Sequence, residues 1–147
     1  MNTNQCEVPA YNPPGVEVAE LLMGSRTIAV VGLSDRPSRD SYRVAAYLQA
    51  QGYRIIPVNP YKTEILGEKC YPHLTAIPDP VDIVNIFRTV TAIPSIVADA
   101  VKIGAKGVWM QQGLAHNESA GKARAAGLCA VQSRCLMVEH RKLLTTY

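Results

Sequence analysis

The sequence predicts a doubly wound α/β fold, in which a parallel sheet of about five strands lies between two layers of helices. Three observations lead to this prediction. Short apolar runs, typical of buried strands, alternate along the chain with segments of helical periodicity. Glycine and proline mark most of the boundaries between them. The 147 residues are enough for one domain with a single core.

The N-terminal part of the chain divides into a tail and a first helix. Residues 1 to about 12 are polar and show no periodic pattern, so we assign residues 1–14 to a tail and residues 15–147 to the domain. Pro13-Pro14-Gly15 precedes a short apolar stripe with helical spacing, and Gly24 stands where a glycine commonly ends a helix. We expect this helix to cover one edge or end of the sheet.

Five strands and four further helices follow. The first strand is apolar on both faces, which favours a central strand covered by helices on each side. The predicted strands occupy residues 27–31, 53–58, 81–87, 107–110 and 128–132. The predicted helices occupy residues 40–51, 94–103, 117–126 and 136–144, with Asn117 as an N-cap. Residues 61–74 form a loop with at most a small strand near residues 69–71. Right-handed crossovers between successive strands give three α/β/α layers.

Charge and cysteine content exclude several classes of protein. The formal net charge of +3 is too small to indicate nucleic-acid binding, but it does not repel a polyanionic small molecule. No apolar run reaches the ~18 residues that span a bilayer, and residues 1–6 lack the features of a signal peptide. The four cysteines form no Cys-x-x-Cys pair, so reduced thiols in a cytosol are expected. We expect a cytoplasmic protein that binds neither nucleic acid nor membrane. A protein partner or a homo-oligomer stays open.

The segment that follows the first strand has the features of a phosphate site. The strand breaks at Gly32, and a polar, basic loop then leads into the helix at residue 40. Backbone N–H groups at a helix start lack partners, and the helix dipole there favours an anion. The loop therefore predicts binding of the pyrophosphate of a nucleotide-bearing cofactor. The candidate residues from the loop are Gly32, Leu33, Ser34, Arg39 and Ser41.

The end of the second strand helps to choose the cofactor. The dinucleotide fingerprint G-x-G-x-x-G is absent from the loop. NAD-binding domains carry an acidic residue after the second strand, whereas this chain has Asn59 and Pro60, with Lys62 close behind. A neutral end with a nearby cation suits a ribose that carries a phosphate. Both NADP and coenzyme A (CoA) fit that description, and Lys62 by itself also fits a solvated surface lysine.

Several motifs together resemble one known family. They are IAVVGLS at residues 28–34, SYRVA at 41–45, IPVNP at 56–60, ILGE at 65–68, VDIVNIFR at 81–88 and WMQQG at 109–113. In this order they resemble the YccU-like family of small stand-alone CoA-binding proteins, over residues 16–141. That family is similar in fold to the N-terminal CoA-binding domain of the succinyl-CoA synthetase α subunit. The resemblance implies a Rossmann-like domain that binds CoA or an acyl-CoA and is not a complete ligase.

The resemblance also implies where the ligand lies. Gly32, Leu33 and Ser34 match the turn that approaches the pyrophosphate, and Arg39 and Ser41 fall in the same loop. The segment that meets the ribose and its 3′-phosphate matches Asn59, Pro60 and Lys62. The third strand end, beside the adenosine or the pantetheine arm, matches Phe87, Arg88 and Thr89. Independently of the resemblance, Gln111 follows the fourth strand and is a candidate for lining the cleft.

The sequence predicts no catalytic constellation and no metal site. We expect His73, His116 and His140 to be surface or capping residues, and Trp109 to be a core residue. Cys135 follows the fifth strand, so it is either a buried small apolar residue or a cleft cysteine that can pair with the CoA thiol. Two other hypotheses stay open. One is an NADP-dependent oxidoreductase with a divergent phosphate loop, and the other is an interaction protein that has lost its ligand.

Overall fold

The structure, a computed structural model, describes residues 7–146 and contains a five-stranded sheet with helices on both faces. The helices are α1 (Gly15–Met23), α2 (Asp40–Ala50), α3 (Ile93–Lys102), α4 (Asn117–Ala125) and α5 (Leu136–Thr146). The strands are β1 (Thr27–Val31), β2 (Arg54–Val58), β3 (Glu64–Ile65), β4 (Glu68–Lys69), β5 (Ile83–Ile86), β6 (Gly107–Met110) and β7 (Cys129–Val131). Single 3₁₀ turns span Leu74–Ala76 and Val90–Ala92.

The predicted doubly wound fold is confirmed. The main sheet is parallel throughout, in the order β2-β1-β5-β6-β7. The chain moves from β1 outward to β2 and then crosses back to β5 on the other side of β1. The strand order therefore reverses between β1 and β5, and open α/β sheets bind ligands at such a reversal. The register brings the last residues of four strands level with one another: Val31, Val58, Ile86 and Met110.

Two apolar clusters, one on each face, hold the layers together. Helices α1, α2 and α5 pack on one face, and α3 and α4 pack on the other. Trp109 of β6 is fully buried under the first of these layers, where its indole Nε1–H donates to the Arg134 carbonyl oxygen at 2.8 Å. The prediction that Trp109 is a core residue is confirmed.

Local boundaries differ slightly from those predicted. The strands of the main sheet and the helices end within two residues of the predicted positions. The segment after β2 holds a small hairpin, β3 with β4, where only a small strand near residues 69–71 was expected. Helix α4 is capped one residue earlier than predicted, because the His116 side chain accepts a hydrogen bond from the Ser119 N–H at 3.2 Å. The expectation that His116 is a surface or capping residue is confirmed.

Part of the predicted tail contacts the domain. Asn12 Nδ2 donates to the Gln132 carbonyl oxygen at 2.9 Å, and the Ala10 N–H donates to Asn117 Oδ1 at 2.8 Å. Residues 1–6, with Cys6, and residue 147 lie outside the described residues. The division at residue 14 stays a prediction. Within residues 7–146, no helix combines the length and the apolar character needed to cross a bilayer.

Candidate functional site

Gly32 lies where the ends of three strands meet. Its N–H donates to the Val58 carbonyl oxygen at 3.0 Å, which links the end of β1 to the end of β2. Its φ of +88° is a conformation that residues with a side chain rarely adopt. A Cβ at this position would lie 2.3 Å from the carbonyl oxygen of Phe87, beyond the end of β5. Glycine is therefore required both by the turn and by the close approach of the two chains.

The loop after Gly32 is shaped by its own side chains. Leu33 is fully buried and anchors the loop in the core below, so only its backbone faces the site. The Ser34 N–H donates to the Ser41 hydroxyl at 3.0 Å, and the Arg36 N–H donates to the Ser34 hydroxyl at 3.1 Å. Ser41 is itself buried in the first turn of α2. These bonds hold the loop in a defined conformation at the positive end of α2.

Asn59 links the second strand end to the loop. Its Nδ2 donates to the Leu33 carbonyl oxygen at 3.0 Å, and its Oδ1 accepts from the Tyr61 N–H at 2.8 Å. Both polar atoms of the Asn59 side chain are thus hydrogen-bonded to backbone groups. The geometry therefore gives Asn59 a structural part in positioning the loop and the turn that carries Lys62.

Lys62 is paired across the site. Its Nζ lies 3.0 Å from a carboxylate oxygen of Asp35, and both side chains are partly exposed. The hydrogen bond from Lys62, and then its positive charge, hold the pKa of Asp35 below the ordinary value. Any phosphate that binds Lys62 competes with this carboxylate.

Three adjoining cavities run along the carboxyl ends of the strands. The first, the ribose cavity, has a volume of about 560 Å³ and lies between the ends of β1, β2 and β5. The second, the loop cavity, has about 570 Å³ and lies at the start of α2. The third, the far cavity, has about 730 Å³ and lies between α2 and α5. Phe87 contributes to the walls of all three, so the cavities adjoin at this residue, and we call them together the groove.

The groove carries an excess of unpaired positive charge near the loop. Arg36 and Arg39 line the loop cavity, and Arg88 lines the ribose cavity. Among residues 7–146, none of these three arginines forms an ion pair within 4.0 Å. The negative charge of Asp40 at the loop is paired with Arg43. The loop and its surroundings thus offer guanidinium groups that an anionic ligand can bind.

The structure brings eleven of the twelve predicted site residues to this groove. The ribose cavity is lined by Gly32, Leu33, Ser34, Asn59, Pro60, Lys62, Phe87 and Arg88. The loop cavity adds Arg39 and Ser41, and the far cavity adds Gln111. Thr89 lies outside the walls of the three cavities, and its hydroxyl is 3.1 Å from that of Thr91.

Sequence reasoning missed several residues of the walls. Asp99 and Ser95 of α3 also line the ribose cavity. Tyr47 of α2 and Arg141 of α5 line the far cavity and contact each other, with the guanidinium 5.1 Å from the ring centre. These residues are distant in sequence from the strand ends, and the helical periodicity that places them carries no functional signal.

The histidines and cysteines differ in their surroundings. The expectation that His140 is a surface or capping residue is wrong, because it is buried and its Nδ1 lies 2.8 Å from the Tyr47 hydroxyl. Burial lowers the pKa of His140. Burial, with the neighbouring Glu17 carboxylate, raises the pKa of Cys129 to about 12. Cys135 is only partly buried and lines the far cavity.

Known proteins resemble this chain over most of its length. The family model described as "CoA binding domain" matches residues 26–141. The uncharacterized protein YneT of Bacillus subtilis is 41% identical over 129 residues, which cover 88% of this chain and 96% of that protein. A solved structure titled "hypothetical protein from Pyrococcus horikoshii OT3" superposes with a TM-score of 0.88 at 40% identity, covering 94% of this chain and 97% of the other.

A more distant relative is a much larger enzyme. The ADP-forming acetate–CoA ligase II of Archaeoglobus fulgidus is 33% identical over 84 residues, which cover 56% of this chain and 12% of the ligase. The solved structure agrees with the fold described above, and the family model and the relative of similar length cover most of the chain. The chain belongs to the family of CoA binding domains.

Proposed function

We propose that this protein binds coenzyme A or an acyl-CoA in the groove at the carboxyl ends of the strands. The pyrophosphate lies on the loop after β1, at the start of α2. The ribose and its 3′-phosphate lie in the ribose cavity near Lys62, and the pantetheine arm runs past Phe87 toward the far cavity. The proposal depends on one observation above all. Three cavities adjoin at Phe87, and the one at the start of α2 is lined by the arginine-bearing loop.

The charges of the groove support this orientation. CoA carries a pyrophosphate and a separate 3′-phosphate, and the groove offers cations at two corresponding places. Arg36 and Arg39 lie at the loop, whereas Lys62 and Arg88 lie in the ribose cavity. The wall of the far cavity contains Asp40, Arg43 and Arg141, but it also includes Tyr42, Tyr47, Leu114 and Met137, which suit the less polar pantetheine arm.

We further propose that the chain binds its ligand without catalysing a reaction of it. The acetate–CoA ligase relative is named for a reaction, but this chain corresponds to only 12% of that enzyme. Within residues 7–146, no group of three or more His, Cys, Asp and Glu side chains is arranged to hold a metal ion. A cytosolic location, expected from the reduced cysteines, belongs to the same proposal.

An NADP-dependent oxidoreductase is the competing function, because Asn59 and Lys62 also suit a 2′-phosphate. The melting temperature should therefore be measured with CoA, acetyl-CoA, NADP, NAD and buffer alone. A ligand at about 100 times its Kd adds roughly 2.7 kcal/mol. For a domain of this size that is a rise of about 5–10 °C. We expect the rise with CoA and acetyl-CoA only. A rise with NADP alone contradicts the proposal, and no rise with any ligand favours the interaction protein.

A further inference from the structure

The wall of the far cavity contains a thiol, that of Cys135, and a hydrogen-bond donor without a partner among the described residues, the amide of Gln111. Gln111 follows β6, and Cys135 immediately precedes α5. Both contribute to the wall of this cavity, as does Phe87, which also lines the loop cavity. A ligand that passes Phe87 from the loop therefore reaches Gln111 and Cys135.

The Gln111 amide is held in one orientation. The side chain is 5% exposed, and its Oε1 accepts a hydrogen bond from the Leu136 N–H at 3.1 Å. Because a backbone N–H needs an acceptor, this bond fixes which end of the amide is the oxygen. The Nε2 end donates to none of the described residues. It is not fully enclosed by protein atoms, and because Gln111 lines the far cavity, we infer that Nε2 is accessible from that cavity. A carbonyl oxygen of a pantetheine amide would satisfy it.

Cys135 differs from the other described cysteines. Cys70 is buried, and burial raises its pKa, with smaller contributions from Glu64 and Asp35. The pKa of Cys129 is raised to about 12 by burial and by Glu17, so neither residue supplies much thiolate near neutral pH. Cys135 is partly exposed. It lines the far cavity and also a fourth cavity of about 400 Å³, whose wall includes Asn12, Gln132 and Glu139. The Cys135 side chain therefore borders two cavities.

We propose that Cys135 is a site of reversible mixed-disulfide formation with CoA bound in the groove, with CoA disulfide as the oxidant. The inference rests on the proposed function, because the groove must deliver the pantetheine sulfur to the far cavity. The Cys135 thiolate attacks one sulfur of CoA disulfide, the S–S bond breaks, and a bond forms between Cys135 Sγ and the sulfur of the bound CoA. The second CoA leaves as a thiolate and takes up the proton that Cys135 released. One disulfide is consumed and one is formed, so no other reactant is needed.

The test uses the full chain with Cys6→Ser, which removes the one cysteine outside the described residues. The reduced protein is incubated with CoA disulfide, and the adduct is located by intact mass and peptide mapping. We expect one CoA per chain, on Cys135, released by dithiothreitol and abolished by Cys135→Ser. Cys70 and Cys129 stay unmodified and serve as internal controls.

Two disulfide reagents distinguish a reaction that depends on binding in the groove from one that depends only on exposure of the Cys135 thiol. Binding raises the local concentration of a ligand to about the mM range, so CoA disulfide should react about tenfold or more faster than glutathione disulfide. Acetyl-CoA, which occupies the same groove but has no disulfide bond, should slow the reaction with CoA disulfide. Gln111→Glu keeps the acceptor for the Leu136 N–H but replaces the Nε2 donor. This variant should react more slowly with CoA disulfide and at an unchanged rate with glutathione disulfide.

The outcomes distinguish the two proposals. Absence of an adduct, an adduct on Cys70 or Cys129, or equal rates with the two disulfides each overturn the role of Cys135. Calorimetry of CoA with Cys135→Ser is run in parallel. If CoA binds this variant while the parent chain forms no adduct, the proposed function stands and the exchange is wrong. If CoA binds neither protein, both proposals are wrong.

Discussion

Lys62 Nζ lies 3.0 Å from a carboxylate oxygen of Asp35, and both residues of this ion pair line the ribose cavity. The two residues follow different strands, β1 and β2, which the sheet places side by side. In the proposed complex, the 3′-phosphate takes the place of the carboxylate as the partner of Lys62. Asp35 is then a competitor of the ligand, and substitutions on the two sides of the pair should have opposite effects.

Asp35→Asn should strengthen CoA binding. The change frees Lys62 and removes a negative charge that repels the phosphates. Exposed ion pairs contribute about 0.2–1 kcal/mol, so we expect a gain in affinity of a few-fold by titration calorimetry at fixed salt concentration. Asp79→Asn is the matched control, because Asp79 is equally exposed, pairs with Arg54 at 2.8 Å and lies outside the groove. Weaker binding by Asp35→Asn would contradict the arrangement.

Lys62→Ala should weaken the binding of CoA far more than that of dephospho-CoA, which lacks the 3′-phosphate. A hydrogen bond to a charged group contributes about 1.5–3 kcal/mol, so the loss for CoA should be about tenfold or more. Lys106→Ala removes an exposed lysine that pairs with Asp82, away from the groove, and should change neither affinity. Equal losses for the two ligands would show that Lys62 does not contact the 3′-phosphate.

Gly32→Ala should destabilise the protein and abolish CoA binding. The new Cβ would lie 2.3 Å from the Phe87 carbonyl oxygen, so β1 and β5 must move apart at their carboxyl ends. Overpacking of this kind costs about 1–3 kcal/mol, and a positive φ adds about 1–2 kcal/mol. Gly113→Ala is the control, because Gly113 has a φ of +91° but no atom within 4 Å of the new Cβ. Thermal unfolding should show a clearly larger loss for Gly32→Ala, and equal losses would exclude the steric explanation.

Ser41→Ala should weaken CoA binding although the Ser41 hydroxyl is buried. The change removes the acceptor for the Ser34 N–H and loosens the loop. One such bond contributes about 1 kcal/mol, so we expect an affinity loss of about fivefold. Ser38→Ala, in the same loop but exposed, is the comparison. If only Ser38→Ala reduces affinity in calorimetry, the loop is not held as described.

His140 should make the stability depend on pH. Burial lowers the pKa of His140, whereas in the unfolded chain a histidine gains its proton near pH 6.5. The unfolded state therefore binds more protons below about pH 6.5, and the free energy of unfolding falls as the pH is lowered. The melting temperature of the parent chain should drop more steeply between pH 7 and about pH 5 than that of His140→Gln. His73→Gln, at an exposed position, should follow the parent chain. Parallel curves for the parent chain and His140→Gln would contradict the assignment.

The site could be predicted from the sequence where it depends on strand ends. Gly32, Asn59, Phe87 and Gln111 each follow an apolar run directly, and parallel strands bring their carboxyl ends to one edge. The ion pair of Asp35 with Lys62 and the contact of Arg141 with the Tyr47 ring were not predicted. They depend on how neighbouring loops and helices turn their side chains, and one-dimensional patterns contain no such information.

The sequence by itself determined the fold class and nearly every element, because buried strands and amphipathic helices are local patterns of apolar residues. It also determined the phosphate-loop candidate, since a glycine after a buried strand and a helix start are adjacent in the chain. Only the tertiary structure decided that His140 is buried against Tyr47, 93 positions away, and that Cys135 opens on the cavity lined by Phe87. Burial and cavity walls arise from the packing of α2 against α5 on the sheet, a long-range arrangement that no short segment specifies.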